Sequence, residues 1–367
     1  MPTFMAQGHI LQDFTEKLRI NMKYNQLGQT NTTVSEICLG TMTFGEQNTE
    51  KEAHEQLDHA LAAGINFFDA AEMYPVPPRK ETQGLTEKYV GSWLAKQDRS
   101  KIILATKVAG PGRGMEWVRG ETIRLNRKQI YTAVEQSLTR LKTDYIDLYQ
   151  IHWPERNVPI FGHVFFDPKK NRECESILSQ IQVFSDLIKE GKIKHYGLSN
   201  ETPYGLMEFI QTAQKHSLPL PVSVQNAYSL INRTYEQGLS EISYYSKIGL
   251  LAYSPLAFGL LTGKYEDGKA DEKSRLKKFS AFGQRYIKVN SIEAVREYMN
   301  LARKAGLSPA TLALAFVRSK FFTTSTIIGA TGIAQLKENI KSSLITLTDD
   351  IHKEIDQIHA RYPNPAP

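Results

Sequence analysis

Cysteine is scarce: two residues, Cys38 and Cys174, serve a chain of 367. They are too few for a disulfide framework and too far apart for the short ligand spacings of a metal site. No metal is expected, and a reducing, cytoplasmic setting is the natural reading. Long apolar runs are missing too. None reaches the about 18 residues that cross a bilayer, so no membrane association is expected. The opening MPTFMAQGHILQDFTEKLRI also lacks the uninterrupted apolar segment of a signal peptide. Charge of one sign is not in excess: 45 Lys and Arg against 39 Asp and Glu leave +6. That is too mild at this length to call for a nucleic acid, though it suits a small anionic ligand. Finally, no G-x-G-x-x-G follows the first strand-like run, which removes the dinucleotide fingerprint of a doubly wound fold.

What is present is a regular alternation. Hydrophobic residues make up 41% of the chain, enough for a proper core, and they come in short runs separated by stretches of helical period. Strands are expected at 36–40, 66–68, 101–107, 145–152, 194–199, 222–226, 249–255 and 325–329. Helices are expected at 49–63, 84–96, 127–141, 176–190, 204–215, 235–246, 291–305, 309–318 and 331–342. Ala53, Leu57, Ala60 and Leu61 share one face of the first helix, and Gly64 stops it. Eight strand–helix units in sequence predict an α/β fold, a (β/α)8 TIM barrel with long loops at its C-terminal face and a C-terminal helix. The boundaries read as an N-terminal extension over 1–21, mobile or a short amphipathic helix, and a single barrel domain over 22–367. Three connections are long, 109–126, 154–175 and 254–290, and long loops in a compact domain usually carry function.

In such a barrel the chemistry gathers where strands end at the C-terminal face. The second expected strand leads to Asp69, with Tyr74 in the loop after it; the third ends at Lys107 and the fourth at His152. Each has an ordinary structural reading. An Asp after a strand caps a helix or forms a turn, a rim lysine is solvated, a lone histidine is buried and satisfied, and a tyrosine before Pro75 packs a loop. Their occurrence at three consecutive strand ends favours chemistry instead. A phenol is a poor acid at neutral pH, and an ammonium beside it is expected to lower its pKa. A carboxylate holds that ammonium charged, and a histidine positions a carbonyl oxygen. Such a set protonates an alkoxide as hydride arrives from a cofactor.

The stretches LGTMTFGEQN, GINFFDAAEMYPVPPRKETQGLTEKYVGSWL, LKTDYIDLYQIHWPER, GKIKHYGLSNET, VQNAYSLINR, LLAYSPLAFGLLTGKY and IIGATGIAQLKENI together resemble the aldo-keto reductases. They are especially similar to the bacterial Tas-like NADP(H)-dependent branch, which is related to potassium-channel β subunits. The resemblance runs from Lys23 to nearly the C-terminus. It implies a catalytic tetrad of Asp69, Tyr74, Lys107 and His152, with Tyr74 as general acid/base, and NADP(H) lying extended across the barrel rim. It places Gly40, Thr41, Met42 and Asp69 at the nicotinamide ribose and Ser199, Asn200 and Gln225 at the amide. Tyr253 would stack on the ring, and Ser254, Pro255, Leu256, Gly259 and Lys264 would follow the pyrophosphate. Gly329, Thr331, Gln335, Glu338 and Asn339 would surround the adenosine half. Arg275 is the natural partner for a 2′-phosphate, because a guanidinium matches phosphate geometry, and the helix opened by IIGAT offers free N–H groups to a phosphate.

Trp153, Tyr228, Phe258 and the loop 154–175 are candidate walls for a small carbonyl substrate. The proline-rich YPVPPRKETQG departs from the glycine that follows the tyrosine in many relatives, so Pro75, Pro77 and Pro78 are expected to stiffen the wall beside the proton donor. The expected reaction is NADPH-dependent reduction of an aldehyde or ketone. Self-association is left open. Two rivals stand beside this reading. One is an NADP(H)-sensing regulatory protein of the channel-subunit kind, against which the retained His152 speaks. The other is a Schiff-base barrel using Lys107, which leaves Tyr74 and His152 without a task.

Overall fold

In this computed structural model, which describes residues 22–266, 268–272, 274–279 and 283–367, the alternation closes on itself. A hairpin of β1 (Tyr24–Gln26) and β2 (Thr33–Ser35) comes first. It is followed by β3 (Ile37–Gly40), β4 (Phe67–Asp69), β5 (Ile103–Val108), β6 (Ile146–Ile151), β7 (Ile193–Ser199), β8 (Ser223–Ala227), β9 (Gly249–Tyr253) and β10 (Thr323–Ile328). The last eight are parallel and pair in the order β10-β3-β4-β5-β6-β7-β8-β9 as a closed barrel. Around it lie α1 (Glu50–Ala62), α2 (Leu85–Leu94), α3 (Arg127–Leu141), α4 (Ile177–Lys189), α5 (Pro203–Lys215) and α6 (Leu239–Ser246). The series ends with the short α7 (Arg275–Lys278), then α8 (Val289–Lys304), α9 (Pro309–Arg318), α10 (Ile333–Lys341) and the C-terminal α11 (Asp349–Arg361). The extension expected over 1–21 lies outside the described residues.

Local chemistry accounts for most boundaries. Thr49 and Glu52 form a reciprocal capping box on α1. Asn126, Ser176, Thr202, Ser308 and Thr348 each accept from a backbone N–H in the first turn of α3, α4, α5, α9 and α11. The helix expected over 235–246 is broken. Gly238 at φ +105° separates a 3-10 turn, Thr234–Glu236, from α6. The strand expected through Pro255 stops at Tyr253, where Ser254 turns to φ +53°.

Alternation within the strands splits the core in two. Cys38, Phe67, Ala105, Leu148, Leu251 and Ile327 fill the barrel interior. Their neighbours Ile37, Phe68, Leu104, Tyr149, Leu250 and Ile328 face the helices. Leu27 and Val34 join the interior group. The hairpin sits at the N-terminal mouth, where Ser35 N donates to Asn66 Oδ1 at 2.8 Å and Asn25 Nδ2 to Thr324 O at 2.8 Å. The barrel is therefore plugged below and packed in the middle, which leaves the C-terminal rim as its open end.

Candidate active site

The same two-residue period builds a polar layer above the apolar one. Phe67, Ala105 and Leu148 point inward, so Asp69, Lys107 and Gln150, each two residues further on, point inward one layer higher. The register pairs Phe67 with Ile103, Asp69 with Ala105, and Lys107 with Gln150, and Gln225 enters from β8. Lys107 is fully buried. Its Nζ donates to Asp69 Oδ2 at 2.6 Å, to Ala70 O at 2.8 Å and to Tyr74 Oη at 3.4 Å. The other oxygen of Asp69 accepts from Gln225 Nε2 at 2.9 Å and Gln150 Nε2 at 3.2 Å. Asp69 thus has both oxygens occupied and one full charge opposite it.

Electrostatics follow from this closeness. Burial presses the Lys107 ammonium toward neutrality, but the Asp69 carboxylate against it, together with Tyr74, more than offsets that, and its pKa ends above the ordinary value. For Tyr74 burial is the largest influence and raises the phenol, with the Lys107 charge opposing it only in part. The lowered phenol expected from the sequence is therefore corrected: in a dry site, desolvation of the phenolate outweighs one ammonium that Asp69 already partly neutralises. His152 is held well below its usual pKa by burial, then by the charges of Lys107 and Arg113, so its imidazole is neutral at pH 7.

Tyr74 is set from several sides. Its N–H donates to Ala71 O at 3.0 Å, its carbonyl accepts from Gly84 N at 2.9 Å, and Val76 N donates to Met42 O at 3.0 Å. The peptide bonds before Pro75 and Pro77 are cis. Beneath this loop the buried Glu72 carboxylate pairs with Arg119 and accepts from Ala109 N at 2.6 Å, while Arg119 Nη2 donates to Ala109 O at 3.0 Å. That pair ties the loop after β4 to the loop after β5. The Tyr74 and His152 rings meet edge to face, with centroids 5.6 Å apart, and Trp153 lies 4.9 Å beyond His152.

Tyr74, His152 and Asp69 line a cavity of about 1260 Å³ that runs along the rim. All the cofactor candidates line it. Gly40, Thr41 and Met42 lie beside Asp69. Ser199, Asn200, Gln225 and Tyr253 follow, then Ser254, Pro255, Leu256, Gly259, Lys264 and Arg275, and last Gly329, Thr331, Gln335, Glu338 and Asn339. Lys107 stands behind Tyr74 rather than in the wall. Trp153 and Phe258 line the cavity; Tyr228 does not. It is fully buried, its ring stacks on Phe316 at 5.9 Å between centroids, and its hydroxyl bonds Glu236. The tyrosine proposed as a pocket wall is a core residue, because it turns toward α9 just past the strand end.

Asn200, expected at the amide, is bonded on both ends of its side chain. Asn200 Nδ2 donates to His152 O at 2.8 Å, and Asn200 Oδ1 accepts from Tyr253 Oη at 2.6 Å. Asn200 therefore also fixes the backbone of His152. Gln150, which parity along β6 marks, and the cavity-lining Arg113, Met115 and Arg285, which lie in segments without a period, were not among the expected residues, whereas Phe161 comes from the loop 154–175 expected as a wall.

Comparison with known proteins completes the picture. Residues 36–360 match the model described as "Aldo/keto reductase family". The chain belongs to the aldo/keto reductase family. This reductase is 48% identical over 347 residues, 94% of its length, to the whole of the Escherichia coli K12 protein named "Protein tas". It is 33% identical to "Uncharacterized oxidoreductase YrpG" of Bacillus subtilis, over 94% of this chain and 97% of that one. It is 31% identical to "Putative voltage-gated potassium channel subunit beta" of Schizosaccharomyces pombe, over 92% and 93%. Membership makes it an oxidoreductase of small molecules, in a family that uses nicotinamide cofactors. Among the described residues no helix is long and apolar enough to cross a membrane.

The rim of this reductase fits such a cofactor. Lys264 and Arg275 have no carboxylate within ion-pair distance among the described residues, and burial lowers both pKa values. The N-terminus of α10 carries no side-chain cap at Gly332, and a Cβ there would meet nothing within 4 Å. Two cations and a free helix end around one groove suit a ligand with phosphates.

Proposed function

We propose that this aldo/keto reductase reduces an aldehyde or ketone to the alcohol with NADPH, and that Tyr74 supplies the proton. The observation that carries the reading is Lys107 Nζ, fully buried between Asp69 Oδ2 at 2.6 Å and Tyr74 Oη at 3.4 Å, with the tyrosine facing the cavity. The nicotinamide, when bound, supplies the hydride. Tyr74 keeps its proton until an alkoxide develops, and the fixed ammonium then stabilises the phenolate left behind. Asp69 holds the ammonium in place. His152, neutral, donates a hydrogen bond to the carbonyl oxygen and orients it toward Tyr74. Arg275 and Lys264 take the phosphates, with Arg275 favouring NADPH over NADH. The two unpaired cysteines, one of them buried, suit a reducing compartment.

Neither rival gains support. A Schiff-base lysine must be uncharged to attack, whereas Lys107 is held as an ammonium by Asp69. The regulatory reading leaves unused a neutral histidine in edge-to-face contact with the tyrosine. The Tyr74→Phe variant tests the proposal. Carbonyl reduction is expected to fall by about 10²–10⁴-fold while NADPH still quenches tryptophan fluorescence. Full turnover in that variant refutes Tyr74 as the acid.

A further inference from the structure

At the substrate end, the loop 109–126 folds over the cavity and brings Arg113 against two aromatic faces. Its guanidinium carbon lies 4.0 Å from the Phe161 ring centroid and 5.4 Å from that of Trp153. Trp153 is itself pinned, because its Nε1 donates to Pro111 O at 3.0 Å. A guanidinium lying over ring faces can still offer its N–H groups to a further partner. A smaller hollow of about 100 Å³ adjoins the main cavity here and shares Arg113 and Trp153 with it.

Three arginines are among the residues that line the hollow: Arg113, Arg156 and Arg172. Arg156 is neutralised by both oxygens of Glu201. Arg172 gives its Nε to a backbone carbonyl, that of Glu155, at 2.7 Å. Its Nη1 lies 2.7 Å from where a Cβ on Gly112 would stand, against the backbone that leads into Arg113. Neither Arg113 nor Arg172 has a carboxylate within ion-pair distance among the described residues. Two arginines without a paired acid, lining one hollow, suit an anion.

We propose that this hollow receives a carboxylate carried by the substrate, so that the enzyme acts on carbonyl compounds bearing an acidic group beyond an apolar, ring-sized body. The carbonyl meets Tyr74 and His152, the body lies on Trp153 and Phe161, and the carboxylate meets the Arg113 fork, with Arg172 behind it. The ring contacts from Tyr74 to His152 and from His152 to Trp153 place the anion one indole's width from the reacting centre. A bidentate guanidinium–carboxylate contact is directional as well as strong, so it selects both the acid and the pose. This proposal rests on the reductase reading for the carbonyl end, whereas the anion end can be tested without turnover.

The probe pair is 4-carboxybenzaldehyde and its methyl ester, alike in shape and different in charge. With NADPH, the wild type is expected to favour the acid by about tenfold or more in kcat/KM. Arg113→Gln is expected to bring the ratio to within about twofold through a raised KM for the acid, and Arg113→Lys to restore part of it. Added salt is expected to weaken the preference, since the hollow is open to solvent. An acid/ester ratio near one in the wild type, or one unmoved in Arg113→Gln, overturns the proposal and leaves the reductase reading standing.

If neither aldehyde is reduced, the reductase reading falls with respect to these carbonyls. The anion site is then judged by titrating the holoenzyme with terephthalate and its dimethyl ester, followed by tryptophan fluorescence. Saturable binding of the diacid alone, lost in both Arg113→Gln and Arg172→Gln, upholds it. Equal binding of the two probes, or no loss in the variants, overturns it.

Discussion

The proposed reduction needs a phenol that keeps its proton and an imidazole that stays neutral, and the environments of Tyr74 and His152 suit both roles. Burial raises Tyr74 above its ordinary pKa, and burial with two neighbouring cations drops His152 well below its own. The sign is the same for activity at both ends. The acid form of Tyr74 is lost only as pH rises through a value above about 10, and neutral His152 is lost only as pH falls below about 6.5. A profile of kcat/KM for reduction is therefore expected to be flat from about pH 6.5 to 10. A basic limb centred near pH 8 contradicts the raised phenol. Asp69, Tyr74, Lys107 and His152 were readable as a group because each follows a strand-like run. The sign of the tyrosine shift was not, since it depends on how much water the folded loops exclude.

Elements meet here through backbone as much as through side chains. α2 and α3 approach so closely at Gly91 that a Cβ there would lie 2.2 Å from Arg140 O and 2.7 Å from Leu141 Cα. Arg140 also reaches across to Glu87, its Nε donating at 2.6 Å, and Glu87 in turn accepts from Thr106 of β5 at 2.6 Å. Gly91→Ala is expected to destabilise the protein by about 1–3 kcal/mol, the usual range for overpacking. Backbone atoms cannot swing aside as a flexible side chain would. Urea unfolding measures the change, and an unaltered midpoint would show that the helices separate freely. α3 and α9 appear over the residues that periodicity marked, 127–141 and 309–318, because strong caps and an apolar face coincide. The β1–β2 hairpin escaped notice: its three-residue strands are too short to show a period, and Leu27 and Val34 reveal their purpose only as a plug. The split at Gly238 is a local backbone choice inside an otherwise helical pattern.

At the scale of the whole molecule, a closed barrel plugged at one mouth presents a long groove at the other. A cofactor lying along that groove touches the loops after most strands, so its binding should stabilise the entire fold. NADPH at 100 times its Kd is expected to add about 2.7 kcal/mol, read as a rise of a few degrees in Tm. NADH at equal concentration should add less, and Arg275→Ala should narrow the difference. Identical shifts with the two nucleotides in the wild type would remove the assigned preference. Local pattern alone determined the eight strand–helix units, the barrel class and the strand ends where the proposed site lies, because apolar period and capping residues act over a few positions. Tertiary structure alone decided that Tyr228 packs under α9, that Gln150 bonds Asp69, and that Arg113 and Arg172 line one hollow. Those outcomes depend on which loops fold over which, and contacts between residues distant in the chain leave no period to read.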